Sequence, residues 1–181
     1  MRICLLLVVS TLASRGGPAH ISDPIGEVEF AGFFYQAPGF GWRAVIYPPN
    51  ENGNPSHDYL RDGFRFQVQV STFKPIVPVR DEAALIAWLI KPNIPKVDLE
   101  NGHGATCARF AYRWNQTLSL GGPAAPWATF DERDLYCIDP IETDHLLQFR
   151  VLERLSPGEA TTPGFDAMAE KLIGSVRARA P

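Results

Sequence analysis

The stretch Phe64-Arg65-Phe66-Gln67-Val68-Gln69-Val70 alternates without a break between apolar and polar side chains. Successive side chains of an extended strand point to opposite sides, so Phe64, Phe66, Val68 and Val70 share one face and Arg65, Gln67 and Gln69 the other. Two later stretches repeat the pattern. Between Ala105 and Trp114, the residues Ala108, Phe110, Tyr112 and Trp114 alternate with Cys107, Arg109 and Arg113. Between His145 and Arg154, the residues Leu147, Phe149 and Val151 alternate with Gln148, Arg150 and Arg154. Arg133–Ile138 reads as a short strand that Asp139 and Pro140 end. Upstream, Ile25–Phe30 reads as a first strand. Phe33–Pro38 and Trp42–Tyr47, on either side of Gly39 and Gly41, read as a hairpin. Pro48–Asp62, with its Pro, Asn and Gly pairs, reads as a loop.

Two segments switch to helical spacing. Asp81–Ile90 has two acids at its start and an apolar stripe of Leu85, Trp88 and Leu89, with Pro92 just beyond. Near the end, Thr162 is a fitting N-cap and Pro163 a fitting first residue. Phe165, Met168, Ala169, Leu172, Ile173 and Val176 then recur on one helical face. The expected fold is a single α+β domain over residues 25–178. A mostly antiparallel sheet of five to six strands carries a central helix and a C-terminal helix packed on it.

The start of the chain has a different character. Met1 and Arg2 precede an apolar run from Ile3 to Leu12, and Thr11-Leu12-Ala13 offers a small-residue cleavage site. This is the layout of a secretory signal peptide over residues 1–13, too short to span a bilayer, where ~20 apolar residues are needed. Residues 14–24 read as a linker. Cys4 precedes the apolar run and leaves with the signal. Of three cysteines, Cys107 and Cys137 then remain, and an even count in an exported chain favours a disulfide between them. On the strand alternation, Cys107 shares a side with Arg109 and Arg113, which puts the bond across an outward face or edge of the sheet rather than in the core. The expected location is exported, periplasmic in a bacterium.

Composition is that of a globular chain, 45% hydrophobic and 20% charged over 181 residues, enough apolar material for a core without metals. A net charge of -3 argues against a nucleic-acid partner.

The order of elements resembles the Mog1/PsbP-like fold group. The resemblance is carried by Phe34-Tyr35-Gln36-Ala37-Pro38 with Gly41 and Trp42 as the opening hairpin, a helix after the third strand, and His145–Arg154 followed by Pro163–Val176. Cys107-Ala108-Arg109-Phe110 and Tyr136-Cys137-Ile138-Asp139-Pro140 also look like segments of exported proteobacterial proteins with paired cysteines. The resemblance spans roughly residues 25 to 178. The group has no shared catalytic set, so it implies no site residue and no cofactor.

Candidate chemistry follows from the residues. Alternation puts Arg65, Arg109, Arg113, Arg150 and Arg154 on polar sides of three strands. On neighbouring strands they make a cationic patch for carboxylates, phosphates or lipid headgroups; otherwise they are a solvated face with ordinary ion pairs. Cys107 with His103 is the only arrangement resembling an activated nucleophile, and a disulfide consumes that thiol. His20, His57, His103 and His145 lack zinc-ligand spacing and read as loop histidines. Asp131, Glu132 and Asp134, with Asp139, Glu142 and Asp144 nearby, read as solvated loop charges rather than an acid–base pair. Asn115-Gln116-Thr117 is a sequon, relevant only in a eukaryotic secretory pathway. Phe33, Phe34, Tyr35, Phe40 and Trp42 read as core rather than as an exposed contact patch.

The expected function is therefore an exported accessory or binding module that engages a protein partner or the envelope surface, needing no cofactor. A hydrolase with unrecognised residues and a structural envelope protein are the alternatives.

Overall fold

We obtained a computed structural model of the chain, in which residues 18–50, 53–90, 96–117 and 127–179 are described. The signal-peptide stretch 1–13 lies outside them, as do Pro92 and the glycine-rich turn at Gly121. The architecture corrects the α+β expectation. Among the described residues there are eleven strands and only two short helices, and the fold is a β-dominated sandwich.

The strands are β1 Ala19–Ser22, β2 Glu27–Phe30, β3 Phe33–Gln36, β4 Arg43–Tyr47, β5 Ser56–Arg61 and β6 Phe66–Phe73. After helix α1, Glu82–Leu89, come β7 Asp98–Glu100, β8 Cys107–Thr117, β9 Trp127–Ile138 and β10 Leu146–Leu155. Helix α2, Phe165–Ile173, and β11, Arg177–Ala178, close the chain. Eight strands form one antiparallel sheet in the order β1-β4-β5-β6-β10-β9-β8-β7, and β11-β3-β2 form a second.

The two sheets and α2 enclose the main core. Phe66, Val68 and Val70 of β6, Leu147, Phe149 and Val151 of β10, and Leu135 and Cys137 of β9 line its floor. Phe33 and Tyr35 of β3, with Phe165, Ala169 and Leu172 of α2, line its roof. A second core lies on the opposite, outer side of the large sheet. There Leu85 and Leu89 of α1 pack on Ala108, Phe110, Tyr136, Ile138 and Leu146. The large sheet is thus covered on both sides, which is why β10 is buried at nearly every position.

Several local expectations change for identifiable reasons. The hairpin is β2–β3, not the pair on either side of Gly39 and Gly41. Ala31 and Gly32 take φ of 47° and 77°, the left-handed pair that a two-residue hairpin turn needs. Residues 37–42 then carry the chain from the small sheet to the large one. Residues read as linker include β1, and residues read as loop include β5. Helix α1 begins as read, with the Asp81 carboxylate accepting the Ala84 N–H at 2.8 Å. Helix α2 starts later than read. Its N-cap is Gly164, at φ 88°, because Thr162 is engaged elsewhere.

Candidate functional site

The five arginines singled out by alternation do not share a face. Arg109 and Arg113 of β8 lie on the inner side with Cys107, whereas Arg150 and Arg154 of β10 lie on the outer side, opposite Leu147, Phe149 and Val151. Most are paired. Arg65 meets Glu153 at 3.1 Å and Glu159 at 2.7 Å. Arg109 meets Glu100 at 2.9 Å and Glu170 at 2.7 Å. Arg113 lies 3.8 Å from Asp131 and donates to the Glu159 carbonyl at 3.0 Å. Arg150 meets Glu132 at 2.9 Å and Asp134 at 3.3 Å. Arg154 is exposed and makes no ion pair among the described residues.

Cys107 and Cys137 stand directly opposite each other on β8 and β9, with Cα atoms 4.1 Å apart and sulfurs bonded at 2.01 Å. Both are buried in the main core, not on an outward face. The alternation was sound, but the side marked as polar by Arg109 and Arg113 is the one that α2 and the small sheet cover. Arg109 reaches that side's rim and finds Glu100 of β7 and Glu170 of α2 there, while Arg113 meets Asp131 of β9. The Cys107–His103 nucleophile reading ends with this bond. His103 is buried, its Nδ1–H donating to the Val176 carbonyl at 2.6 Å while its own carbonyl accepts the Ala178 N–H. It fastens β11 against the loop that precedes Cys107.

The acidic segment 131–134 is the largest departure at the level of side chains. It lies within β9, and its carboxylates are buried. Asp131 faces inward, bonded to Arg133 at 3.1 Å and to the Thr161 hydroxyl. Glu153 of β10, also on the inner side and fully buried, accepts from Arg65 at 3.1 Å, from the Thr162 N–H at 3.0 Å and from the Thr162 hydroxyl. Together these bonds pin residues 156–164 to the sheet, and they account for the loss of Thr162 as a helix cap.

Glu132 and Asp134 face outward on β9, two residues apart, and flank Arg150. Glu132 also accepts the Trp114 indole N–H at 2.8 Å, and Asp134 Oδ1 accepts from Gln148 Nε2 at 2.9 Å. Asp134 Oδ2 is buried and meets no N–H or O–H donor. One guanidinium thus faces two carboxyls. Burial, above all, and the hydrogen bond to Glu132 hold the Asp134 carboxyl well above the usual carboxylate range, against the pull of Arg150.

The histidines are not loop residues as a set. His57, on β5, sits at the core's edge, where the Tyr35 hydroxyl lies 2.7 Å from its Nδ1 and 2.7 Å from the Tyr59 hydroxyl. Burial lowers His57 to about 4, so it is neutral at pH 7 and its Nδ1 accepts from Tyr35. The unfolded chain takes up this proton first, near pH 6.5, so stability is full above that pH and falls toward pH 4. The expected loss is about 3 kcal/mol. Urea unfolding at pH 7 and pH 4 measures it, and a His57→Gln variant is expected to lack this component of the slope.

His145 bonds Asp144 at 2.9 Å and Glu142 at 3.2 Å, and borders a surface depression of about 210 Å³ shared with Thr72, Asp139 and Arg179. Among the described residues, no group of three or more His, Cys, Asp or Glu is placed to hold a metal ion. No helix among them is long and apolar enough to cross a membrane.

The aromatic set divides. Phe33, Tyr35 and Trp42 are core, and Phe34 lies half-buried under the Arg177 guanidinium. Phe40 stands out in solvent, as does Phe64, the first residue of the alternating stretch, which belongs to a turn and not to β6. The signal for Phe64 was the Asp62-Gly63 pair before it, which marks a tight turn. No family model matches the chain, and neither the curated proteins nor the solved structures contain a match.

Proposed function

We propose that this chain is an exported accessory or binding module that engages a protein partner or the envelope surface through loops held on a rigid β-sandwich. The observation that carries this reading is the exposure of Phe40 and Phe64 on adjoining connections, while the buried charges are occupied in pinning the fold. Loops displayed on a firm scaffold are where binding residues concentrate. The resemblance to the Mog1/PsbP-like group is compatible with it. The order that carries the resemblance includes a long strand, here Leu146–Leu155, followed by a final helix, here Phe165–Ile173.

Export belongs to the same proposal and is tested with it. Protein isolated from its native cells is expected in the envelope fraction, lacking residues 1–13 by mass. It is expected to resist thiol alkylation until it is reduced under denaturing conditions. An intact N-terminus with free Cys107 and Cys137 in a cytosolic fraction would overturn the reading.

A further inference from the structure

Three connections meet at one end of the large sheet, at residues 23–26, 37–42 and 62–65. The register brings them together: Ser22 stands opposite Arg43, Arg43 opposite Leu60, and Arg61 opposite Phe66. Hydrogen bonds lock the first two together. The Asp23 N–H donates to the Trp42 carbonyl at 2.9 Å, the Gly39 N–H to the Pro24 carbonyl at 2.9 Å, and the Gly41 N–H to the Asp23 carboxylate at 2.7 Å. The last connection takes three left-handed residues in succession, Asp62, Gly63 and Phe64, at φ of 53°, 62° and 70°. A bulky side chain in that region is an outlier, and here it holds a phenyl ring out in water.

The side chains displayed are Ile25, Phe40 and Phe64, 63%, 78% and 53% exposed. Behind them are arginines. Arg43 lies over the Phe64 ring at 5.9 Å, and Arg61 lies between the rings of Trp42 and Phe66 at 4.9 and 4.5 Å. Arg154 adjoins the last connection through the main chain, its backbone N–H donating to the Arg65 carbonyl at 2.7 Å. Of the acids of these connections, Asp62 is paired with Arg61 at 3.3 Å, and Asp23 accepts the Gly41 N–H but keeps its charge, so that Arg43 and Arg154 still leave this end a net cation. Arg65 is taken up by Glu153 and Glu159. Arg43 and Arg154 are exposed and make no ion pair among the described residues. On a chain of net charge -3, this end presents projecting apolar groups with two unneutralised cations beside them.

We propose that this end is a lipid-contact surface that seats the chain on an anionic bilayer. The proposal rests on the binding-module reading and names its partner. Projecting rings reach the acyl boundary while guanidinium groups stay among headgroup phosphates, and a bilayer needs no matching groove to receive them.

Flotation of the mature chain with vesicles tests it. Binding is expected to vesicles of phosphatidylglycerol and phosphatidylethanolamine, weakened by high salt, and not to phosphatidylcholine alone. The double variant Phe40→Ser, Phe64→Gly is expected to lose at least about tenfold in partitioning. Glycine relieves the left-handed backbone, so its thermal midpoint is expected to match the parent's or exceed it, which separates lost binding from lost folding. Arg43→Gln and Arg154→Gln are each expected to weaken binding about fivefold. The pair Ile76→Ser, Val77→Ser alters apolar residues that are on average more exposed, at the opposite end of the sheet, and is expected to bind as the parent does. Absence of flotation, undiminished binding by the Phe40, Phe64 variant, or loss of binding by the Ile76, Val77 variant would each overturn the proposal. Envelope association in cells without flotation leaves the module reading in place and removes only the lipid.

Discussion

An Arg150→Met variant is expected to lose about 3–5 kcal/mol of folding stability at pH 7, the usual cost of leaving buried charge without its partner. Among the described residues, Arg150 is the one guanidinium that touches both Glu132 and Asp134. Without it, two buried carboxyls adjoin with nothing positive beside them, and the Trp114 and Gln148 donors do not neutralise them. Adding Glu132→Gln and Asp134→Asn to that variant is expected to restore most of the loss, because the same side-chain volumes then carry no charge. Asp134→Asn alone gives the sharper result. Asp134 holds its proton in the fold well above the usual range, whereas the unfolded chain releases it near pH 3.9. The contribution of this group to stability is therefore full at acid pH and is lost as pH rises through the folded-state value. Asparagine keeps the shape of the protonated carboxyl but cannot ionise, so the variant is expected to be at least as stable as the parent at pH 8 and to lack that decline. Urea unfolding at pH 5 and pH 8 decides between this and a requirement for the carboxylate. In the second case Asp134→Asn loses more than about 2 kcal/mol at pH 8. His57 acts in the opposite sense, eroding stability as pH falls, so the two groups bound the stable range from either side.

The long strands were legible because β6 keeps period two over most of its length and β10 over Leu147–Val151. What period two cannot give is which side of a sheet faces the main core when both sides are covered. Phe110, Tyr112 and Trp114 named the apolar side of β8 correctly, and that side is the outer one, with Phe110 under α1. Cys107 and Arg109 lie on the other side, where Cys107 enters the main core and Arg109 ends at its acidic rim. The acidic segment 131–134 was misread because charged residues are depleted in strands, and only pairing with arginines on neighbouring elements makes their burial tolerable. Such pairings join residues as distant as Arg65 and Glu153, and no local pattern announces them. For β5 the strand formers are few, Ser56-His57-Asp58 being poor ones, and β6 supplies the partner that holds them extended. Helix α2 was found by its 3.6-residue stripe, but its start was placed too early. Thr162 has the chemistry of a cap, and the buried Glu153 uses it first.

Replacing both Cys107 and Cys137 by alanine is expected to remove about 3–4 kcal/mol through loss of the cross-link alone. The bond closes a loop with a separation of 30 residues, so breaking it returns that much chain freedom to the unfolded state. Two buried sulfurs vanish with it, and the space they leave beneath the roof of the main core adds to the cost. Near 2–4 °C per kcal/mol for a chain of this size, the thermal midpoint is expected to fall by roughly 10–15 °C. Serine at the same positions is expected to do worse, since each buried hydroxyl enters an apolar core in place of a sulfur that needs no hydrogen bond. Burial also changes what the bond implies. A cross-link on an outward face yields to reductant directly, whereas this one is reached only when the sandwich opens. Dithiothreitol without denaturant is expected to leave it intact for as long as the protein stays folded, and reduction is expected to track the unfolding rate as urea is added. Rapid reduction of the native chain would place the sulfurs at the surface and undo the assignment of Cys107 and Cys137 to the core. Slow, urea-dependent reduction leaves a further requirement: both thiols must meet an oxidant before β8, β9 and the roof have closed over them. The dependence on an oxidising compartment then belongs to the folding step, not to the upkeep of the finished structure.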